Sequence, residues 1–545
     1  MPVNYGKSDH AAVTGSSFLF IDSQSDQSIS SAASKQKRAF LQREFRRKQK
    51  EASIQRLKSS IQPFRAQLPL RYEAATTTPG LDDGVEQTSG LAAVAAADGD
   101  YANHTSSKPK QIVRIQSPMS LVSQAFVDPF SSSAVEMTSS MNSYFDHFRI
   151  HTIKHCYPLD ATRMSMWYWQ KAIAQPALLQ ALLCSTAGHQ LILNTVEGVP
   201  TLTFQNSTKE FLRLRGDALK TLNGVLRDSM RAVAESTILV IASLVAIEAI
   251  SATVEAAEAH NKGLKSLVDV FGGIEALDHM TLSKVYQSDV LRAILTNTRP
   301  AFPMSPKWRS EILQETKVFQ SVDFLLPFYN TTNTNDPDNP LTEIMKILSP
   351  LGTSFFKAPW YMSLDPSMKS FLHVMKRLIQ YYEIAQLTPS IVMPTDNDLF
   401  LLLEYQLVNV TYPVSHNGFN EPLRLALLIY LNMRIWHLHS FPYMAYLTGY
   451  LRTALEGVLA RLRGDDPRLL FWILFIGDMA SLGHEGHSWF VEKLAEIAYE
   501  HLGIRGWSEA REVLVGYFYM DQPGDSGGED LWGEVLLGGR AITLV

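Results

Sequence analysis

From about Ser117 onward, apolar residues recur at helical spacing, and the alternation expected of strands is scarce. Leu178, Leu179, Leu182 and Leu183 make one stripe; Leu212, Leu214, Leu219, Leu222 and Leu226 continue in the same style. Leu264, Leu267, Val268 and Phe271 form a further face, closed by the helix-stopping pair Gly272-Gly273. The run ILVIASLVAI at 238–247 has no polar face and predicts a fully buried helix; it ends at Glu248, after about half of the ~20 apolar residues a membrane span needs. Further helices are predicted over 366–387, 397–412, 421–439, 443–463, 467–482, 487–502 and 507–519. Turn chemistry separates them at 332–340 (TNTNDPDNP), 388–398 (TPSIVMPTDND), 463–467 (RGDDP) and 521–530 (DQPGDSGGED). The pattern predicts one all-α domain over 117–545 with an internal loop near 328–342.

Residues 1–116 read differently. Stretches such as SQSDQSISSAAS and QTSGLAAVAAADGD carry few large apolar side chains, too few to offset the entropy of ordering, so this region is expected to be largely disordered. The exception is a helix near 34–60, with Ser34 as its N-cap and Pro63 as its outer limit.

Charge sharpens that division. Residues 35–58 hold ten Lys or Arg against two Glu, net +8, in a chain of formal charge −5; the remaining residues carry −13. A cationic arm on an acidic body suits a phosphate backbone, an anionic lipid surface or an import receptor. Arg43, Arg46, Arg47 and Lys50 fall at i, i+3, i+4 and i+7 and share one helix face. With Lys37, Arg38 and Lys48 they are the candidate DNA-binding or nuclear-localisation residues. A leucine zipper does not follow, because Pro63 and Pro69 interrupt the heptads begun by Ile54, Ile61 and Leu68. Two cysteines, Cys156 and Cys184, exclude a disulfide scaffold and any zinc module of four to six thiolates within this chain. The start, MPVNYGKSDHAAV, lacks a signal-peptide layout, and the expectation is a soluble intracellular protein.

Several segments in order resemble the fungal-specific transcription factor domain proteins, whose helical regulatory domain often follows a binuclear zinc cluster. They are FLFID at 18–22 with RAFLQREFRRKQK at 38–50, VDPFSS at 127–132, QPALLQALLCSTAGH at 175–189, RGDALKTLNGVLRD at 215–228, ESTILVIASLVAIEAI at 235–250 and HNKGLKSLVDVFGGIEAL at 260–277. WFVEKLAEIAYEHLGIRGWSEAREVLVGYFYMD at 489–521 and LWGEVL at 531–536 complete the series. The resemblance implies a nuclear transcriptional regulator with a helical interaction domain and, on resemblance alone, control of a metabolic gene cluster. The family's six-cysteine DNA reader cannot be formed here, since no cysteine of this chain precedes Cys156. Expected partners are therefore the nuclear import machinery, other transcription factors and DNA, the last weakly and through its backbone. No membrane is expected, and self-association into a homo-oligomer is compatible with the pattern. The competing reading is a helical scaffold or ligand-binding protein outside transcription.

Candidate chemistry in the body is sparse. His147, His151 and His155 are four apart, beside Asp146 and Cys156. Pairs at i, i+4 can chelate a transition metal, but one ion could take only two of the three from this helix, and a half-exposed helical face explains the spacing. His484-Glu485-Gly486-His487 is close to a zinc-protease motif, but its histidines are three apart rather than four and a glycine suits a helix boundary. No phosphate-binding loop, dinucleotide fingerprint or nucleophile elbow occurs. Cys184 and Ser185, near His189, lie in an apolar helix pattern and read as core. The aromatic groups Trp167-Tyr168-Trp169 and Phe355, Phe356, Trp360 and Tyr361 read as core or loop anchors. No enzyme, cofactor or metal is expected from these residues.

Overall fold

The computed structural model describes residues 138–196, 201–316, 318–319, 340–412, 418–520 and 527–543. The basic arm, the FLFID and VDPFSS segments and most of the 328–342 loop lie outside them. Among the described residues there is helix and no strand. The helices are α1 (Ser139–His147), α2 (Ile153–Cys156), α3 (Ala161–Ile173), α4 (Pro176–Val196), α5 (Thr201–Leu226), α6 (Ser229–Ala232), α7 (Glu235–Ile250) and α8 (Val254–Phe271). There follow α9 (His279–Thr296), α10 (Pro306–Glu315), α11 (Pro340–Leu348), α12 (Thr353–Lys357), α13 (Pro366–Leu387), α14 (Asn397–Asn409) and α15 (Asn420–Arg434). The last are α16 (Met444–Glu456), α17 (Leu459–Asp465), α18 (Pro467–Ser481), α19 (His487–Glu496), α20 (Trp507–Val515) and α21 (Gly527–Thr543).

The apolar run at 238–247 is the middle of α7, and every residue from Thr237 to Ile247 is buried, as its lack of a polar face requires. Helices α4, α8 and α9 pack around it. Its polar atoms are met locally: Ser243 Oγ donates to the Leu239 carbonyl at 2.8 Å, and Arg215 Nε reaches Glu248 Oε1 at 2.6 Å. Close approach of α4 needs Gly188, where a Cβ would stand 2.8 Å from Ile247 Cδ1. A second all-round apolar helix, α18, is buried over Leu469–Asp478, with Asp466 capping its N-terminus from a side-chain oxygen to Arg468 and Leu469 N–H. Trp472 Nε1 donates to the Phe518 carbonyl at 3.0 Å, and Phe355 packs against Trp360, Trp472, Tyr517 and Phe518, so Phe355 and Trp360 are core, whereas Phe356 and Tyr361 are only partly buried and pack on His373.

Several boundaries and one stripe differ from the sequence pattern; the helices expected over 397–412 and 507–519 end at Asn409 and Val515. The single helix expected over 443–463 breaks at Gly457-Val458 into α16 and α17. The 421–439 helix ends at Arg434, where the chain turns into a short loop with His437 in the left-handed region at φ 50°. Leu212 is 55% exposed while Leu214, Leu219 and Leu222 are buried. Residues two apart on a helix lie about 200° around, so Leu212 and Leu214 cannot share a face.

Candidate functional site

The histidine ladder sits on the helical run from α1 to α2, and the turn between them, Phe148–Thr152, is a π-helix. On a regular α-helix residues four apart drift by about 40° per step. A wider π turn advances less per residue and brings His147, His151 and His155 closer into line; such turns are frequent at functional sites. The rings of His147 and His151 are 4.8 Å apart.

Two other elements bring histidines to this face. His189, on α4 beside Gly188, is 2% exposed; its Nδ1 lies 2.9 Å from His147 Nε2, and its ring is 4.6 Å from that of His155. His437 comes from the loop after α15, with its ring 6.0 Å from His155. His155 Nδ1 lies 3.1 Å from both the Trp436 and His437 carbonyls. Carbonyls only accept, so Nδ1 carries the proton and Nε2 is the lone-pair nitrogen of the neutral ring. The loop is fixed from below: Leu438 N–H donates to the Asn432 carbonyl at 2.7 Å, and the Asn432 side chain bridges Glu404, at 2.7 Å, and Tyr443. His189 Nε2 is buried and meets no hydrogen-bond partner, whichever way the His147–His189 proton points.

These rings are held neutral. Burial, reinforced by His151 and His155, lowers His147 to about 4. Burial lowers His155 to about 4 against the opposing pull of the two carbonyls. Burial and the neighbouring histidines put His189 well below its ordinary value, and burial with His155 takes His437 to about 3. Close-packed imidazoles in low dielectric cannot readily share positive charge.

Two histidines elsewhere, His487 and His279, have the opposite environment. His487 opens α19 after Gly486, at φ 102°, so the 484–487 motif is a helix boundary. Its Nδ1 lies 2.9 Å from Asp478 Oδ1 on α18, and its Nε2 lies 3.1 Å from Glu534 Oε2 on α21. The Asp478 contact is at ion-pair distance, and Ser481 Oγ lies 3.3 Å from the same Nδ1. Burial alone would lower His487, but the two carboxylates outweigh it and raise the ring to about 9. Burial lifts the Asp478 carboxyl to about 6. His279 repeats the design: it lies 2.8 Å from Glu311 Oε2 and 2.8 Å from Asp398 Oδ2, and these partners raise its pKa against burial. Cys184 is fully buried, and burial pushes its thiol up to about 12, which leaves it an inert core residue.

Of the sequence-derived candidates, the structure joins the three ladder histidines. Lys37, Arg38, Arg43, Arg46, Arg47, Lys48 and Lys50 lie outside the described residues. Sequence reasoning missed His189 and His437 as members of the cluster. Among the described residues no helix is long and apolar enough to cross a membrane. The family model described as Fungal specific transcription factor domain matches residues 143–517, well over half of the chain. The chain therefore belongs to that family of helical transcription-factor domains. No curated protein and no solved structure matches it.

Proposed function

We propose that this protein is a nuclear transcriptional regulator that works through its helical body and its basic N-terminal arm. The observation that carries the reading is the family match over 143–517. The ten basic residues between Lys35 and Lys58 support it, since such runs are read by import receptors and lie along phosphate backbones. In this reading Lys37, Arg38, Arg43, Arg46, Arg47, Lys48 and Lys50 engage import machinery. Arg43, Arg46, Arg47 and Lys50 also touch duplex DNA through phosphate, with sequence choice left to partner transcription factors. Neither an enzymatic step nor a cofactor is part of the proposal.

Localisation tests it. A tagged full chain should accumulate in nuclei, and neutralising Arg46, Arg47 and Lys48 together should move it toward the cytosol with the melting temperature unchanged. Cytosolic wild-type protein would favour the scaffold or ligand-binding alternative. Direct DNA contact has its own signature. Binding by the full chain should fall with salt along a log–log slope of about −3 to −4, as expected for up to ~4 phosphates neutralised, and should barely depend on sequence.

A further inference from the structure

We propose that His151, His155 and His189 form a binding site for one divalent transition metal ion of the zinc class, with His147 positioning His189. Imidazole nitrogen is a preferred ligand for such ions, and the neutral ring is the form that binds. His155 has the arrangement of a metal-ligating histidine: its Nδ1–H is committed to the Trp436 and His437 carbonyls, which orients the ring and leaves Nε2 as the ligand atom. His189 has the same arrangement one ring away. With Nδ1–H donating to His147 Nε2 at 2.9 Å, its Nε2 is a bare lone pair, and that nitrogen is buried with no partner. A buried polar atom without a partner is costly and calls for an explanation. A metal ion supplies one without changing the proton count of either ring.

Among the described residues no three His, Cys, Asp or Glu groups already converge at metal-ligand spacing. The site is thus a pair of oriented rings, 4.6 Å apart, that needs a third nitrogen drawn in. His151 is placed for this: it stands one helical step from both His147 and His155, across the π turn, and its ring already faces His147. Completing the set requires the His151 side chain to turn from its contact with His147. The Phe441 ring, 5.6 Å from His189, forms an apolar wall beside it. The ligands come from the α1–α2 run and from α4, and the loop after α15 holds one of them, so the ion would tie the start of the family domain to its core.

The test is titration of the chelator-stripped full chain with zinc chloride by calorimetry, and with cobalt chloride by visible absorption. The expected result is one equivalent bound, with the intense d–d bands of a low-coordinate cobalt site and a higher melting temperature. His189→Leu should abolish binding, and His151→Gln should lower affinity by more than the ~10–100-fold that loss of a supporting partner causes. His147→Gln, a positioning change, should fall within that ~10–100-fold range and leave the cobalt bands in place. Absence of binding in the wild type overturns the proposal. So does binding that survives unchanged in His189→Leu or, if that variant does not fold, in His151→Gln, because the ion would then sit elsewhere.

Discussion

The cluster around His189 and the clamp around His487 bury the same side chain by opposite means. In the cluster, rings face rings and backbone carbonyls, and burial keeps them neutral, with His147 and His155 lowered to about 4. In the clamp, one ring lies between Asp478 and Glu534 and is held charged, raised to about 9. Burial pushes both in the same direction, so the neighbours decide the outcome. A histidine's burial alone therefore says little about its charge, and the two regions should fail under different conditions.

The largest effect should come where a charge is buried with neither device. Thr237–Ala249 of α7 contains one charged side chain, Glu248, which Arg215 meets. Val240→Asp adds a carboxylate to that buried surface with no histidine placed to receive it, and no cooperatively melting protein should be recovered. Next is the clamp itself. His487→Ala leaves Asp478, fully buried, without its counter-charge, and should lower stability by about 3–5 kcal/mol in denaturant titration. His487→Ala combined with Asp478→Asn should regain much of that loss, since the stranded charge is gone.

The pH profile separates the two regions. The His487 pKa is raised from 6.5 to about 9, so its stabilisation is complete below pH 6.5 and is lost as pH rises through about 9. The cluster histidines are lowered, so their contribution is complete above pH 6.5 and is lost as pH falls toward about 4. His487→Ala combined with Asp478→Asn, which also removes the Asp478 carboxyl that His487 holds down to about 6, should flatten the alkaline side of the profile and leave the acid loss of the cluster in place; the reverse pattern would show that the charge assignments are exchanged. The smallest effect belongs to His189→Leu in metal-free protein. That change removes one hydrogen bond but also the unpartnered buried nitrogen, and should stay within about 1.5 kcal/mol of wild type. A loss as large as that of His487→Ala would erase the distinction between the regions.

The sequence announced most of the fold because helices announce themselves locally. The periodicity of 366–387 marks α13 to the residue, and the missing polar face of 238–247 marks the buried centre of α7. The 443–463 pattern hid its break because Gly457 and Val458 do not interrupt the apolar spacing. The site was legible only in part. His147, His151 and His155 could be grouped because they share a helix face. His189 could not be joined to them, since a pairing across 42 positions has no period, and the π turn that aligns the ladder leaves no composition signal. His487 was recognisable as a helix boundary by Gly486. Its partners Asp478 and Glu534 are fixed by how α18 and α21 pack, which no spacing rule encodes.

Genome-wide crosslinking of a tagged full chain asks whether this member of the fungal transcription-factor family acts on chromatin. Enrichment at discrete promoter-proximal sites is expected, reduced across all of them when Arg46 and Arg47 are reversed in charge. A profile indistinguishable from an untagged control, in cells where the protein is folded and abundant, would contradict it.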